Sequence, residues 1–102
     1  MGNAVVIRGG RARRVDPKNG SDKGSVGSSN IKAAASDGDF IVLVYSNGQA
    51  RRYDANNGSD RGSVGSSNAV GCSITGGVII LNYANGQSRR YDARSGLDKG
   101  SA

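Results

Sequence analysis

Few side chains in this sequence could carry out catalysis. Its eight acidic residues are all aspartates, it has no histidine, and its only cysteine is Cys72. General acid–base and nucleophilic catalysis need titratable side chains held in matched sets, most often with a histidine or a glutamate among them. Acid–base chemistry would have to rely on aspartate alone here. We therefore expect no catalytic residues and a protein that is not an enzyme.

The spacing of Asp54, Asn56 and Asp60 is a pattern in the sequence that could indicate a metal site, because oxygen ligands at alternate positions are typical of calcium loops. Lys18 and Arg94 take the position of Asn56 in related segments, and no glutamate closes the loop, so the ligand set is incomplete. An aspartate at the start of such a segment can instead accept backbone N–H groups in an Asx-turn. We predict turns there, with neither a metal nor a cofactor.

Paired arginines are the most regular charged groups in the chain. The pairs are Arg13 and Arg14, Arg51 and Arg52, and Arg89 and Arg90, each followed by a Val or Tyr and then an Asp. The net charge of +6 permits an anionic partner such as nucleic acid, although solubility and protection of strand edges explain it better. Neighbouring strand residues point to opposite faces, so a pair does not make one cationic patch. We expect the arginine stems to cover apolar surface while the heads reach water or an aspartate, as Arg52 could reach Asp54.

Four tyrosines accompany these arginines, at positions 45, 53, 83 and 91. Their rings could stack on sugars, with Asn or Asp as partners for the hydroxyl groups, but burial between sheets explains the same residues more simply. The candidate ligand or partner contacts are therefore Arg13, Arg14, Arg51, Arg52, Arg89, Arg90, Tyr53 and Tyr91.

The arginine pairs recur every 38 residues, and segments 13–50 and 51–88 are identical at more than half of their positions. A fixed period of this length indicates one supersecondary unit used repeatedly, each copy covering a face of its neighbour. Short β-branched runs separated by glycine-containing turns, with no glutamate in the chain, predict an all-β protein.

The dipeptides Asn47-Gly48 and Asn85-Gly86 predict hairpins with two-residue type I′ turns, and Gly9-Gly10 predicts the same turn. Val44 would then pair with Arg51, and Val42 with Tyr53. One face would carry Ile41, Leu43, Tyr45, Ala50, Arg52 and Asp54, and the other Phe40, Val42, Val44, Arg51 and Tyr53. A strand that is apolar on both faces must be covered on both sides. By the same alignment, residues 4–7 are the counterpart of residues 42–45.

Two further short strands are predicted in each unit, at residues 60–64 and 69–74 in the copy where both are clearest. The second of these is rich in small residues, as is the run Ala33, Ala34 and Ala35, and small side chains suit strands that converge on an axis. Four short strands in about 38 residues are typical of one blade of a β-propeller.

The repeat resembles the quinoprotein-type, or PQQ-like, β-propeller repeat. The resemblance rests on residues 78–83, the Asn85-Gly86 hairpin and the Tyr-Asp-Ala-x-x-Gly loop at residues 91–96. It implies a propeller fold across nearly the whole chain. The outer-strand tryptophan of that family is missing near residues 62–64, and no residue matches the family's cofactor or metal ligands. The resemblance therefore does not imply quinone-dependent dehydrogenase activity.

We predict a single repeat domain, residues 1–102, made of a partial blade (1–27) and two blades (28–65 and 66–102). About three blades are too few for a propeller ring, which has about four to eight. We therefore expect homo-oligomerisation that completes the ring, with a dimer of about six blades favoured. A segment of a longer propeller is the alternative. Neither a signal peptide nor a membrane-spanning run is evident, so we expect a cytoplasmic protein.

These expectations favour a non-enzymatic binding or scaffold module that presents loops and a channel to a protein partner. A lectin-like module with carbohydrate sites at the blades is one alternative. Nucleic-acid binding through the arginine pairs is another, disfavoured because the pairs split between faces and lack a recognised reader motif.

Overall fold

The computed structural model describes residues 4–27, 29–65 and 67–102, and in these residues the chain forms three antiparallel sheets. The first sheet contains β1 (Ala4–Arg8), β2 (Arg11–Val15) and β3 (Asp22–Val26). The second contains β4 (Ile31–Ser36), β5 (Phe40–Tyr45), β6 (Ala50–Asp54) and β7 (Asp60–Val64). The third contains β8 (Ala69–Thr75), β9 (Val78–Tyr83), β10 (Ser88–Asp92) and β11 (Asp98–Ser101).

Each sheet is a meander in which strands that follow each other in sequence lie side by side. The strands predicted at residues 60–64 and 69–74 are present as β7 and β8. The described part of the first sheet has no counterpart of β4 or β8. The described residues also contain no helix with the length and hydropathy needed to cross a membrane.

The predicted register of the β5–β6 hairpin is wrong by one residue. Val44 pairs with Ala50 and Val42 pairs with Arg52. The loop has three residues, because the N–H of Tyr45 donates to the carbonyl of Gln49, and Gly48 is the residue with positive φ, +89°. This is the three-residue hairpin loop that ends in a left-handed glycine, not the two-residue type I′ turn.

The corrected register reassigns the two faces of the second sheet. We call the face with Ile41, Leu43, Tyr45, Arg51 and Tyr53 the front face, and the face with Phe40, Val42, Val44, Ala50 and Arg52 the rear face. The same terms apply to the other sheets by structural equivalence. Every named residue of β6 therefore lies on the face opposite to the predicted one. Ala50, Arg52 and Asp54 share a face with Val42, and Arg51 and Tyr53 share a face with Leu43.

The first hairpin does have the predicted two-residue loop. Gly9 and Gly10 both have positive φ, +59° and +77°, and Arg8 pairs with Arg11. This loop is one residue shorter than the loops of the other sheets. Residues 4–7 consequently match residues 41–44 in structure, and not residues 42–45 as the sequence alignment predicted.

The second sheet lies between the other two, and both of its faces are buried. Ile41 and Leu43 on the front face pack with Ala12 and Val26 of the first sheet. Val42 and Val44 on the rear face pack with the third sheet, where the buried partners are Ile79, Leu81, Tyr83 and Tyr91. All four aliphatic residues of β5 are 0% exposed, as expected for a strand that is covered on both sides.

Backbone hydrogen bonds connect the hairpin loop of each sheet to the first strand of the next sheet. Ile31 donates its N–H to the carbonyl of Gly10, and Ala69 donates to the carbonyl of Gly48, both at 2.9 Å. A side chain on Gly48 would meet the backbone of Asn68 at 2.7 Å, so glycine is needed there for space as well as for its positive φ.

Candidate functional site: the joints between sheets

Six of the eight candidate residues lie at the two contacts between consecutive sheets, which we call the first joint (first and second sheets) and the second joint (second and third sheets). The other two, Arg13 and Arg90, lie on the outermost faces. The two arginines of each pair point to opposite faces, as the alternation of a strand requires. They also have different partners: the first arginine has the same role in all three sheets, and the second has the same role in the first two.

The first arginine of each pair forms a two-pronged ion pair with the aspartate nine residues later. Arg51 donates to Asp60 through Nε (3.0 Å) and Nη2 (3.1 Å). Arg13 pairs with Asp22, and Arg89 with Asp98, in the same geometry. These ion pairs are exposed, so their contribution to stability is small.

A bulge positions the aspartate for this pairing. β7 has one extra residue, Arg61, between the partners of Arg52 and Tyr53, so Asp60 lies opposite Tyr53 on the front face. There its carboxylate accepts from Arg51 and from the N–H of Gly62 at 2.7 Å. The hydrogen bond from Arg51 is the main cause that lowers the pKa of Asp60 below its ordinary value.

The second arginine of a pair reaches across a joint. Arg52 Nη1 donates to the carbonyl oxygens of Ala93 (3.0 Å) and Arg94 (2.9 Å) in the third sheet. Its Nη2 donates to the carbonyl of Arg61 at 2.7 Å, in its own sheet. The prediction that Arg52 reaches Asp54 is wrong, because Arg52 turns toward the next sheet while Asp54 pairs with Arg61 at 3.1 Å.

Arg14 makes the equivalent contacts at the first joint. Its Nη1 donates to the carbonyl of Asn56 at 2.6 Å, and its Nη2 donates to the carbonyl of Lys23 at 2.8 Å. Arg52 is the more deeply buried of the two, 7% exposed, and this burial lowers its pKa from the ordinary arginine value. The guanidinium of arginine presents several donors in a planar fork, which suits it to hold two strands at once.

The carbonyls that receive these arginines belong to the predicted Asx-turns, which the structure confirms. Asp54 Oδ1 accepts the N–H of Asn56 at 2.7 Å, and the N–H of Gly58 donates to the carbonyl of Asp54 at 2.8 Å. Asp16 and Asp92 start equivalent turns. Within the described residues, no three acidic, cysteine or histidine side chains are grouped closely enough to hold a metal ion.

The tyrosines pair on the front faces and pack across the joints. Tyr83 and Tyr91 share a hydrogen bond of 2.7 Å between their hydroxyls, and Tyr45 and Tyr53 share the equivalent one. Burial, reinforced by the hydroxyl of Tyr83, raises the pKa of Tyr91 to about 12. Tyr53 and Tyr91 are 4% and 3% exposed, so their rings contact protein in the single chain. Their role as ligand contacts stays a prediction.

The tyrosine pair of one sheet lies against a glycine that follows the last strand of the preceding sheet. A Cβ on Gly65 would collide with the hydroxyl of Tyr83 and would lie 2.7 Å from Leu81 Cδ1. Gly27 occupies the same place at the first joint, against Tyr45. Sequence reasoning missed both of these contacts and the arginine contacts across the joints.

A cavity of about 740 Å³ opens at the first joint beside the first tyrosine pair. The residues that line it include Asn30, Tyr45, Asn47, Arg51 and Tyr53. The second joint has an equivalent but smaller cavity of about 460 Å³, lined in part by Asn68, Tyr83 and Arg89. Each cavity places an arginine, Arg51 or Arg89, beside a tyrosine, as a ligand site would require. Arg14 and Arg52 instead bind main-chain carbonyls of the neighbouring sheet.

Comparison with known proteins supports the fold. The chain is similar to BamB from Moraxella catarrhalis (20% identity, TM-score 0.76, covering 97% of this chain and 32% of that one). It is also similar to the computationally designed Ika8 protein (15%, 0.75, 98% and 34%) and to Sqt1 from Saccharomyces cerevisiae (15%, 0.73, 98% and 30%). The chain thus spans about a third of the length of each of these structures. At these identities the likeness establishes a β-propeller type of fold and no function.

No protein-family model matches the sequence, and no curated protein matches it either.

Proposed function

We propose that this chain is a non-enzymatic β-propeller module for binding or scaffolding, and that copies of it associate to close a ring. The observation that carries the proposal is the incomplete cover of the two outermost faces. On the rear face of the third sheet, Val78 and Ile80 are only half-buried, as are Ala4 and Val6 on the front face of the first sheet. Neighbouring apolar side chains that stay partly exposed on one face are typical of interaction surfaces.

The number of sheets supports the same proposal. The described residues form three sheets, and propellers use about four to eight. Two copies give six sheets, which is inside this range, whereas three copies give nine. We therefore favour a ring of two copies, with a binding role at its loops and channel. We also propose that the repeat is of the PQQ-like type.

The mass of the chain in solution tests this proposal. We expect sedimentation equilibrium to give about 21 kDa, twice the chain mass of 10.4 kDa, at micromolar concentrations. A mass of 10.4 kDa at every accessible concentration would contradict the closed ring.

Carbohydrate binding is a second candidate, favoured by the cavities at the joints. Tyr45, which is half-buried, lines the larger cavity together with Asn30 and Asn47. A glycan array probed with the labelled chain tests this function, with the variant Asn47→Ala as the matched control. Binding to no glycan, or equal binding by both proteins, would reject this candidate.

A further inference from the structure

Both joints within the chain use the same arginine contact. Nη2 of the second arginine in the preceding sheet donates to a carbonyl of its own outer strand, and Nη1 donates to the Asx-turn of the next sheet, to one carbonyl for Arg14 and to two for Arg52. Arg14 and Arg52 thus mark the rear face of the first sheet and of the second. The contact is to main-chain oxygens only, so it depends on the geometry of the turn and not on its side chains.

Arg90 has the first half of this contact and lacks the second. Its Nη2 donates to the carbonyl of Lys99 at 2.9 Å, as Arg52 donates to Arg61. Among the described residues, this is the only hydrogen bond of its side chain, and Arg90 is exposed where Arg52 is buried. The rear face of the third sheet therefore presents an arginine that is already oriented as in the two internal joints.

The first sheet presents the matching turn. The N–H of Gly20 donates to the carbonyl of Asp16 at 2.7 Å, and the N–H of Lys18 donates to Asp16 Oδ1 at 2.8 Å. These are the hydrogen bonds of the turns that receive Arg14 and Arg52. The carbonyls of Pro17 and Lys18 are equivalent in sequence to those that accept from the arginines, and no hydrogen bond to them is found in the part of the chain that the structure describes.

We propose that Arg90 of one copy binds the main-chain carbonyls of Pro17 and Lys18 of a second copy, joining the rear face of the third sheet to the front face of the first sheet. This inference rests on the proposed ring and specifies its closing joint. The contact is head to tail, since it joins two different surfaces. In a ring of two copies it occurs twice.

The closing joint differs from the internal joints in its apolar part. Val15 stands where Tyr53 and Tyr91 stand, and Arg8 stands where Tyr45 stands in the structural alignment. The front face of the first sheet thus has no tyrosine pair to bury. With fewer large side chains in the contact, the arginine carries a greater share of the affinity, and the joint is the one that opens on dilution.

Substitution of Arg90 tests the proposed contact. We expect Arg90→Ala to raise the Kd of self-association about tenfold or more, because a charge-assisted contact to two carbonyls is lost. Arg90→Lys should fail to restore it, since an ammonium group cannot hold Lys99 and the second copy in the same fork. Arg89→Ala is the matched control, because Arg89 pairs with Asp98 in its own sheet, and it should leave the Kd unchanged.

The outcomes separate this inference from the proposed function. A wild-type chain that stays at 10.4 kDa overturns both. A wild-type dimer that Arg90→Ala leaves intact overturns only the contact of Arg90. Melting curves of Arg90→Ala that match the wild type below the association range confirm that the variant folds.

A mixing experiment tests the head-to-tail arrangement. Val6→Glu should block the front face of the first sheet and Ile80→Glu the rear face of the third, so neither variant should dimerise alone. An equimolar mixture still contains one intact pair of faces, and we expect it to give a species of about 21 kDa. A mixture that remains monomeric, or either variant dimerising alone, would overturn the arrangement.

Discussion

The rear faces of the second and third sheets carry equivalent arginines in different surroundings. On the second sheet, Val42 is 0% exposed and Arg52 is 7% exposed. On the third sheet, Ile80, the counterpart of Val42, is half-buried, and Arg90 is exposed. The two arginines hold their own outer strands in the same way. The difference therefore arises from the neighbouring sheet, which covers one face and leaves the other open.

The repeated motif therefore encodes half of a contact. The apolar stripe and the arginine become structural only where an Asx-turn and a front face lie opposite. Substitutions on the covered and on the open surfaces should therefore differ in effect, and the difference is best measured at concentrations below the association range.

The largest effect is expected from adjacent residues of β9. Leu81→Ala should lower the free energy of unfolding by about 2–5 kcal/mol, because Leu81 is 0% exposed in the second joint. Ile80→Ala, on the open face, should cost less than about half as much, since part of its surface is already in water. Urea unfolding of both variants measures the difference. Equal losses would mean that the rear face is covered after all.

A smaller effect is expected from the arginines. Arg52→Ala should destabilise the chain by about 2–4 kcal/mol, because three charge-assisted hydrogen bonds are lost and the carbonyls of Ala93 and Arg94 lose their donor. Arg90→Ala should stay within about 1 kcal/mol of the wild type. Chemical unfolding followed by circular dichroism distinguishes the two. A larger loss for Arg90→Ala than for Arg52→Ala would reverse the comparison.

Alkaline pH should act on the internal joints through their tyrosines. The pKa of Tyr91 is raised to about 12 in the folded chain, so the neutral form is favoured there, while the unfolded chain ionises near the ordinary tyrosine pKa of about 10. The stability from Tyr91 is thus complete below about pH 10 and is lost as the pH rises toward 12. The melting temperature should fall more steeply across this pH range in the wild type than in Tyr91→Phe. Identical slopes would contradict this account.

Cys72 needs no substitution, because the labelling rate of its thiol reports on the second joint. Burial raises the pKa of its thiol to about 11, and its Sγ lies 3.9 Å from the carbonyl oxygen of Val42. Since the thiolate is the reactive form, labelling at pH 8 should be about 100-fold slower than for free cysteine. Denaturant should restore the free rate. Fast labelling of the folded chain would indicate that β8 is separated from β5.

Much of the fold follows from the sequence because the repeat fixes its local signals. The strand β7 begins and ends at its predicted residues, and the Asx-turns form where Asp is followed by glycine four residues later. These features depend on residues close together in the chain. Local propensity and turn chemistry were therefore sufficient to predict them.

The register of the hairpin was not predictable from the same signals. Asn47-Gly48 suits both a two-residue loop and a three-residue loop that ends in a left-handed glycine. The choice decides which face Arg52 joins. One signal could have settled it: only the three-residue loop places Tyr45 and Tyr53 on one face, where their hydroxyls meet.

The contacts of the joints lie beyond what one sequence offers. Arg52 and its acceptor Arg94 are 42 residues apart, and the acceptor is a main-chain oxygen that no side-chain pattern reveals. The period of 38 residues predicts that neighbours touch. It does not say which side chain crosses between them.

The recognition of main-chain oxygens by Arg14 and Arg52 has a consequence for how such a chain can vary. The two turns that receive them read Asp-Ala-Asn and Asp-Ala-Arg, and the Asp-Pro-Lys turn of the first sheet has the same hydrogen bonds, so all three offer carbonyls in the same backbone path. A unit that keeps this path can accept the arginine of any preceding unit. Duplication or loss of a unit then leaves every remaining boundary chemically compatible, and the loop side chains are free to diversify.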